Sequence, residues 1–372
     1  MPPRPPRWPV TGAIAVVTSF ALIAAAPMAA DSAPNSSADG AVQMASRVTA
    51  APVQAAAAAA ARKAPTTLRA ATFNVRTSRA DRGTRRHWLR RALSVAREIK
   101  SRNPGVVAVQ ELGPGRADGK KGKIKGALRQ TESLEKALKS VGAKKYQVVR
   151  TRSYRKPGRT GGTQGSRLLY DKSRYRLVTK CKETTGKSNW NASCSIRLPI
   201  LSSDGESRRR LGAWAEFEDR RTGRNFFLVS IHLDERHSGK LSKEKRLDRL
   251  RRAQAAAAYK KVKARNKHGY PVIVAGDINS WRTKRGSHAP YNYLTGQGFR
   301  DGVKAKSRID ARYPTVNHWK RTLKANAPGR QVALDVVMVK GASSFKRYEN
   351  VMRVVDSSRP SDHNMVTSDV VL

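Results

Sequence analysis

The sequence is poor in cysteine, in aromatic residues and in acidic residues. Two of its 372 residues are cysteines, and no histidine lies near either one in the sequence, which argues against a metal site built on cysteine. Aromatic residues are 6% of the chain, so no loop offers an obvious hairpin for a bilayer surface. Asp and Glu total 27 against 75 Lys and Arg, which gives a formal charge of +48. Such a chain repels itself, and this predicts a polyanionic partner: nucleic acid, anionic lipid or an anionic cell-wall polymer.

Residues 1–30 have the pattern of a secretory signal peptide. Arg4 and Arg7 form a short positive segment, a mostly apolar run follows, and small residues accumulate up to Ala30. We expect secretion, with release from the cell or retention at the envelope. The alternative is an uncleaved anchor, although the apolar run is short for a full membrane span. Without Arg4 and Arg7 the formal charge is +46, two units below that of the whole chain.

Cys181 and Cys194 enclose a short loop. In an exported protein such an even pair predicts one disulfide. Closing the loop stabilises the fold by about 3 kcal/mol in the chain-entropy model.

The folded part is expected to span 67–372. Residues 31–66 are rich in Ala, Ser and Pro and read as a linker. Apolar runs and alternating patterns then predict strands at 68–75, 106–109, 146–149, 167–170, 175–178, 213–218, 226–231, 272–275, 334–339, 351–355 and 365–371. Helical spacing predicts helices within 88–99, 128–141 and 242–265. This mixture of hairpins and strand–helix–strand units predicts an α/β fold with two packed, largely mixed sheets and helices outside.

Several predicted strands end in residues that can do chemistry. After strand 272–275 come Asp277 and Asn279, two residues apart, so their side chains can converge on one phosphate, metal or water. Other strand ends carry Asn74, Glu111, His232 and Asp335, and the loop before the last strand carries Asp362 and His363. A hard divalent cation takes oxygen ligands from one or two carboxylates, and phosphodiester hydrolysis needs an oriented water and donors to the phosphoryl oxygens. These residue types cover those needs.

The strings that hold these residues resemble the endonuclease/exonuclease/phosphatase superfamily, and its deoxyribonuclease I-like members in particular. They are Thr72-Phe73-Asn74-Val75, Val109-Gln110-Glu111, Ser230-Ile231-His232-Leu233, Gly276-Asp277-Ile278-Asn279, Leu334-Asp335-Val336-Val337 and Ser361-Asp362-His363. They occur in the order of that family, from about Leu68 to Leu372. The resemblance implies a four-layered α/β sandwich, in which two packed mixed β-sheets are flanked by helices and the active site lies at one rim.

The resemblance also implies a metal site. Glu111 would be the principal ligand, with Asn74 and Asp362 nearby. Mg²⁺ is the expected ion, with Mn²⁺ or Ca²⁺ as alternatives.

The resemblance implies catalytic roles for five residues. Asp277 would orient or deprotonate the attacking water, and Asn279 would bind a phosphoryl oxygen. His363, held by Asp335, would donate to the scissile phosphate. His232 would contact the phosphate or protonate the leaving oxygen.

One segment departs from the family pattern. Deoxyribonuclease I-like members carry a carboxylate near Ser166 to Tyr170 that partners the histidine matching His232, but the segment around Arg167 here has no acid. This weakens His232 as a strong general acid. Gln164 or Arg167 would contact the phosphate instead, and a plain surface role for Arg167 is the alternative.

The distribution of charge favours nucleic acid as the substrate. A basic loop that includes Lys121 and Lys123 follows Glu111, and further basic runs occur later in the chain. Together they suggest a track for a polyphosphate backbone, and the lack of a base-reading motif predicts little sequence preference.

We therefore expect a monomeric, secreted nuclease that needs no protein partner, with DNA favoured over RNA. The alternatives are a secreted phospholipid, sphingomyelin or inositol-phosphate phosphoesterase, and a catalytically inactive polyanion-binding surface protein. Trp190, Trp281 and Trp319 lie in loops, where each could stack on a base or cap the core. Capping is the interpretation we favour.

Overall fold

Within the described residues, the strands form two sheets of seven strands each. The computed structural model describes residues 65–113, 115–121, 127–149, 151, 165–181, 194–282, 288–327, 332–352, 354 and 359–372. The predicted signal peptide, residues 31–64 of the predicted linker, and the predicted substrate ligands Lys123 and Gln164 lie outside these ranges.

The first sheet contains β1 (Thr67–Asn74), β2 (Val106–Gln110), β3 (Tyr146–Val148), β4 (Arg167–Asp171), β11 (Ser307–Ile309), β13 (Ser344–Val351) and β14 (Met365–Val371). Their order is β11-β13-β14-β1-β2-β4-β3. The pairs β1–β2 and β11–β13 are parallel and the others are antiparallel, so the sheet is mixed.

The second sheet contains β5 (Tyr175–Leu177), β6 (Ser195–Arg197), β7 (Leu211–Asp219), β8 (Asn225–His232), β9 (Val272–Asp277), β10 (Arg300–Asp301) and β12 (Asp335–Lys340). Their order is β10-β12-β9-β8-β7-β5, and β6 pairs with β7. Only the pair β8–β9 is parallel among these described strands.

Helices cover the outer face of each sheet. The described helices are α1 (Trp88–Arg102), α2 (Gln130–Ser140), α3 (Leu241–Lys263) and α4 (Ala289–Gly296), with short 3-10 turns at Glu206–Arg208 and Gly302–Lys304. In α1, Trp88 and Ile99 share a core cluster with Phe73 of the first sheet. In α3, Val262 shares a cluster with Val229 of the second sheet. The layers therefore run helix, sheet, sheet, helix, which confirms the predicted fold class.

Side chains alternate along each strand, and this places the predicted site residues at strand ends between the two sheets. In β1, Leu68 and Ala70 belong to the core cluster between the sheets, whereas Ala71 and Phe73 belong to the cluster under the helices. The inner-facing series continues to Asn74, whose side chain reaches a residue of the second sheet. A period of two thus carries polar residues at strand ends to the rim where the two sheets meet.

Two other expectations have clear outcomes in the described residues. The predicted disulfide is confirmed: Cys181 and Cys194 are bonded, with their Cα atoms 5.5 Å apart. The predicted strand at 351–355 is wrong, because the strand there is β13, which ends at Val351. None of the helices in the described ranges has the length and apolar character that a membrane span requires.

Candidate active site

Asp277 is the centre of the candidate site. It ends β9, is 1% exposed, and its Oδ2 lies 3.2 Å from Asn74 Nδ2, 3.4 Å from His232 Nε2 and 3.8 Å from His363 Nε2. Its Oδ1 accepts a hydrogen bond of 2.9 Å from the backbone N–H of Asn279. One carboxylate therefore gathers four of the predicted site residues.

Strand register brings these residues together. His232 pairs with Asp277 across the parallel strands β8 and β9, and Asp335 pairs with Asp277 across the antiparallel strands β12 and β9. A Cβ on Gly276 would lie 2.0 Å from the carbonyl oxygen of Ile231, so β9 requires glycine before Asp277. Three neighbouring strands thus place His232, Asp277 and Asp335 in a row at one edge of the sheet.

His363 and Asp335 form a buried pair. The Nδ1 of His363 and the Oδ2 of Asp335 are 2.9 Å apart, and Asp335 is fully buried. Burial alone would lower the pKa of His363, but the negative charges of Asp335, Asp277 and Asp362 raise this pKa to about 10. His363 is therefore protonated at neutral pH, and its Nε2–H points toward the centre of the site.

His232 has the opposite environment. It is 3% exposed, and among the residues that the structure describes its Nδ1 has no hydrogen-bond partner. Burial lowers its pKa well below 6.5, and the positive charges of Arg210 and His363 lower it further. His232 is a neutral imidazole at physiological pH, so it can donate a hydrogen bond but holds no spare proton for a leaving group.

Asp277 is suited to act as a base. Burial, and then the negative charge of Asp335, raise the pKa of Asp277 to about 7. A general base works best when its pKa lies near the working pH, because it is then both available and able to take a proton.

The three predicted metal ligands lie side by side. Glu111 Oε1 accepts from Asn74 Nδ2 at 3.2 Å, and Glu111 Oε2 accepts from the N–H of Thr77 at 2.9 Å. The hydroxyl of Ser361 donates to the carbonyl oxygen of Asn74 at 2.7 Å and lies 3.2 Å from Asp362 Oδ1. Hydrogen bonds through Asn74 and Ser361 therefore link Glu111, which follows β2, to Asp362 in the loop before β14, and both carboxylates act on the charge of Arg76.

Two donor sets at this rim could hold a cation. Asp277, Asp335 and His363 have ligand atoms within 4.8 Å of one another. In that set, however, His363 Nδ1 is already bound to Asp335. The other set, Glu111 and Asp362, offers only oxygen donors, which a hard divalent ion prefers. Arg76 forms an ion pair with Asp362, so a cation already neutralises this carboxylate in the present geometry. The second set fits a divalent metal by donor chemistry.

The structure adds two residues that the sequence did not suggest. Thr315 Oγ1 accepts from the backbone N–H of Asp335 at 3.1 Å, and the carbonyl oxygen of Thr315 accepts from the N–H of Asn364 at 2.7 Å. The N–H of Asn317 donates to the carbonyl oxygen of Asp362 at 2.7 Å. Both residues are fully buried, and they join the strand that carries Asp335 to the loop that carries His363.

A third residue links the two sheets beneath the site. Gln110 Nε2 donates to Ser230 Oγ at 3.1 Å, and Gln110 Oε1 accepts from Thr72 Oγ1 at 3.0 Å. Gln110 stands within the string Val109-Gln110-Glu111, but no local pattern identifies it as a bridge.

The remaining predicted ligands are less central. Asn279 Nδ2 donates to the carbonyl oxygen of Leu233 at 3.0 Å. Arg167 is 2% exposed and its Nη1 donates to Thr151 Oγ1 at 2.8 Å, so it is neither a surface residue nor aimed at open space. Lys121 is exposed. Their roles toward substrate stay predictions.

The arrangement can now be compared with known proteins. A sequence model of the Endonuclease/Exonuclease/phosphatase family matches residues 71–363, a span that holds every predicted metal and catalytic residue. This chain belongs to that family. Members of the family hydrolyse phosphoester bonds. Among proteins of curated function, none matches the chain.

Solved structures of low sequence identity share the fold. An endonuclease/exonuclease/phosphatase family protein from Bacteroides thetaiotaomicron has a TM-score of 0.61 and 19% identity, over 83% of this chain and 98% of its own. A mannosyl-6-phosphatase from the same organism has a TM-score of 0.60 and 17% identity, over 82% and 100%. TDP2 from D. rerio, complexed with a single-strand DNA product, has a TM-score of 0.51 and 16% identity, over 82% and 99%.

Proposed function

We propose that this protein is a secreted, metal-dependent phosphodiesterase that hydrolyses nucleic acid, with DNA favoured over RNA. One observation carries the proposal: a buried carboxylate, Asp277, lies within 3.8 Å of a protonated and a neutral histidine at the meeting point of two sheets. The family supplies phosphoester hydrolysis as the reaction type.

The side chains suit an in-line attack by water on a phosphodiester. Asp277 takes a proton from the attacking water as the water oxygen bonds to phosphorus and the P–O bond to the leaving oxygen breaks. The Nε2–H of protonated His363 lies where it can donate to a phosphoryl oxygen, and Asn279 is the second proposed donor; these oxygens gain charge in the transition state. Neutral His232 donates to the phosphate or to the ester oxygen that leaves. Glu111 and Asp362 would hold a divalent ion, which would supply further positive charge for those oxygens.

The surface charge supports a polyanionic substrate. Five arginines lie between Arg76 and Arg86, in the loop that directly follows Asn74 and leads to α1. This run adds to the basic loop that contains Lys121. Positive charge next to a phosphodiesterase site favours a polyphosphate backbone over a small neutral ester. The D. rerio relative, bound to a single-strand DNA product, supports the same substrate class.

The proposal is tested on supercoiled plasmid with purified full-length protein. We expect nicking and then linearisation with Mg²⁺, no cleavage with chelator, and none with Asp277→Ala. The Asp277→Ala protein should still bind DNA, and high salt should weaken that binding steeply. Intact plasmid with every divalent metal would contradict the proposal.

A phosphomonoesterase is the second candidate, because a mannosyl-6-phosphatase shares the fold over 82% of this chain. Release of phosphate from sugar phosphates or inositol phosphates, together with intact plasmid, would favour it. Phosphocholine release from sphingomyelin would favour the lipid alternative. We also propose that the protein acts as a monomer, which light scattering of the purified chain would test.

A further inference from the structure

Three arginines lie around the ring of Trp319. It is half-buried and belongs to none of the core clusters of the described residues. The guanidinium carbons of Arg76, Arg86 and Arg91 lie 5.9, 5.3 and 5.6 Å from the centre of its ring. The expectation that Trp319 caps the hydrophobic core is therefore wrong.

The backbone that presents this indole is strained. His318 and Trp319 have consecutive positive φ angles of 49° and 65°. Left-handed conformations are unfavourable for bulky residues, and such strain is kept where the surroundings impose it, often at functional sites. Here the N–H of His318 donates to the carbonyl oxygen of Asp362 at 3.1 Å, and the N–H of Trp319 donates to Asn317 Oδ1 at 2.8 Å. The strained turn is thus tied directly to a predicted metal ligand.

The three arginines differ in their surroundings. Arg91 is 4% exposed and donates to the backbone carbonyl oxygens of Arg76, Arg86 and Pro360, so it forms the rigid floor beneath the indole. Arg76 is bound to Asp362. Arg86 is exposed, and within the described part of the chain its guanidinium has no carboxylate partner. It is the cation that remains available to an incoming anion.

A partly exposed indole beside an available guanidinium suits one ligand chemistry. Nucleobases stack on aromatic rings irrespective of sequence, and phosphates pair with arginine. We propose that Trp319 and Arg86 form a subsite for an unpaired nucleotide next to the scissile phosphate. A base within a duplex already has both faces stacked, so the subsite selects single-stranded segments or frayed ends. This inference rests on the proposed nuclease function and specifies the form of its substrate.

The test compares two ligands that differ only in their bases. A short, fluorescently labelled single-stranded oligodeoxynucleotide and an abasic oligonucleotide of equal length and charge are titrated by anisotropy, in chelator, with the full-length protein. The wild-type protein should prefer the intact strand. Trp319→Ala should weaken binding of the intact strand by about 10-fold, and binding of the abasic strand by less than about 2-fold.

Three further variants separate stacking from other effects. Trp319→Leu keeps an apolar side chain over Arg91 but removes the aromatic face. It should therefore show the same selective loss of affinity for the intact strand, and it provides the test if Trp319→Ala folds poorly. Arg86→Gln should weaken binding of both strands alike and lower the salt slope by about 0.7. Tyr293→Ala removes another half-buried ring that carries an arginine, Arg252 at 5.4 Å, but it lies in α4 and should change neither affinity.

The subsite would be overturned if the alanine and leucine variants lost affinity for the intact and the abasic oligonucleotide by the same factor, or lost no affinity for either. Failure of the subsite and failure of the nuclease function are distinguishable, because binding in chelator requires no turnover. Plasmid or oligonucleotide cleavage without selectivity for bases would leave the nuclease proposal standing alone. Selectivity for bases that depends on Trp319, without any cleavage, would leave the subsite standing alone.

Discussion

Both site histidines direct Nε2 toward the same oxygen of Asp277, at 3.8 Å for His363 and 3.4 Å for His232. The Nδ1 atoms of the two rings, however, have different surroundings. The Nδ1 of His363 faces the buried carboxylate of Asp335 at 2.9 Å. The Nδ1 of His232 has no hydrogen-bond partner in the described part of the chain. The pKa of His363 is accordingly raised to about 10, whereas burial and nearby positive charge lower that of His232 well below 6.5.

The comparison shows that the surroundings of each imidazole determine its charge. A carboxylate behind His363 makes it a charged donor, whereas burial and the positive charges of Arg210 and His363 keep His232 neutral. In the proposed mechanism the two residues therefore have unequal roles: His363 would stabilise charge on the phosphate, and His232 would contribute a neutral hydrogen bond.

Loss of the shared carboxylate should have the largest effect. Asp277→Ala removes the base and the oxygen on which both histidines converge, so kcat should fall by about 10³- to 10⁴-fold. Initial rates on a fluorogenic oligonucleotide measure this. Asp277→Asn keeps the shape of the side chain and serves as the matched variant; it should lose as much, and near-normal turnover in it would show that Asp277 is not the base.

Loss of the charged histidine should come next. His363→Gln removes a protonated donor to the phosphate, and kcat should fall by about 10²- to 10³-fold. Asp335→Asn should produce a similar loss, because the imidazole then lacks the charge that keeps it protonated. The double variant should be little worse than either single variant, and full additivity would contradict a role for the pair as a unit.

Loss of the neutral histidine should cost much less. His232→Gln keeps a hydrogen-bond donor in place of a neutral imidazole, and the net value of such a bond is about 1 kcal/mol. The rate should therefore fall by about 10-fold or less. A loss in His232→Gln that equals the loss in His363→Gln would remove the distinction between the two histidines.

Loss of the buried threonine should act through position. Thr315→Val leaves the backbone N–H groups of Leu334 and Asp335 without their acceptor, which should destabilise the fold by about 1–3 kcal/mol and slow turnover by a few fold. Thr315→Ser keeps the hydroxyl and should restore most of both. Urea denaturation and steady-state kinetics provide the two measurements.

Loss of the charged histidine should also change how stability depends on pH. In chelator, the pKa of His363 is raised from 6.5 to about 10 on folding, so its contribution to stability is complete below about pH 6.5 and is lost as the pH rises toward 10. The stability of the wild type relative to His363→Gln should therefore decline between pH 7 and 10. A constant difference over this range, in urea denaturation, would contradict the pairing with Asp335.

The sequence predicted the parts of the fold whose signal is local. The expected strand at 365–371 has the same bounds as β14, because its apolar run is buried in the sheet. The strand expected at 351–355 is wrong because no apolar run marks the bounds of the real strand, β13. β13 buries polar residues instead: Glu349 is paired with Arg102 at 2.9 Å and the buried Asn350 Nδ2 donates to the carbonyl oxygen of Tyr313 at 3.1 Å. Those partners are distant in sequence, so an apolar pattern cannot reveal them.

Some residues of the candidate site could likewise be predicted from local sequence, and others could not. Asp277 and Asp335 could be proposed because each directly follows or begins an apolar strand, and the register then brings them together. Thr315 and Asn317 could not be proposed, because their partners are backbone groups contributed by distant segments. The arginines around Trp319 likewise come from the β1–α1 loop and α1, and nothing in the sequence near Trp319 indicates them.

A histidine titration by NMR tests the central contrast most directly. The protein is labelled at histidine, kept in chelator, and followed from about pH 5 to pH 9, with His232→Gln and His363→Gln used to assign the two signals. We expect His363 to remain protonated throughout, and the signal of His232 to titrate, if at all, well below the ordinary histidine pKa. If both titrate together near the ordinary histidine pKa of about 6.5, the assignment of one charged and one neutral imidazole around Asp277 is wrong.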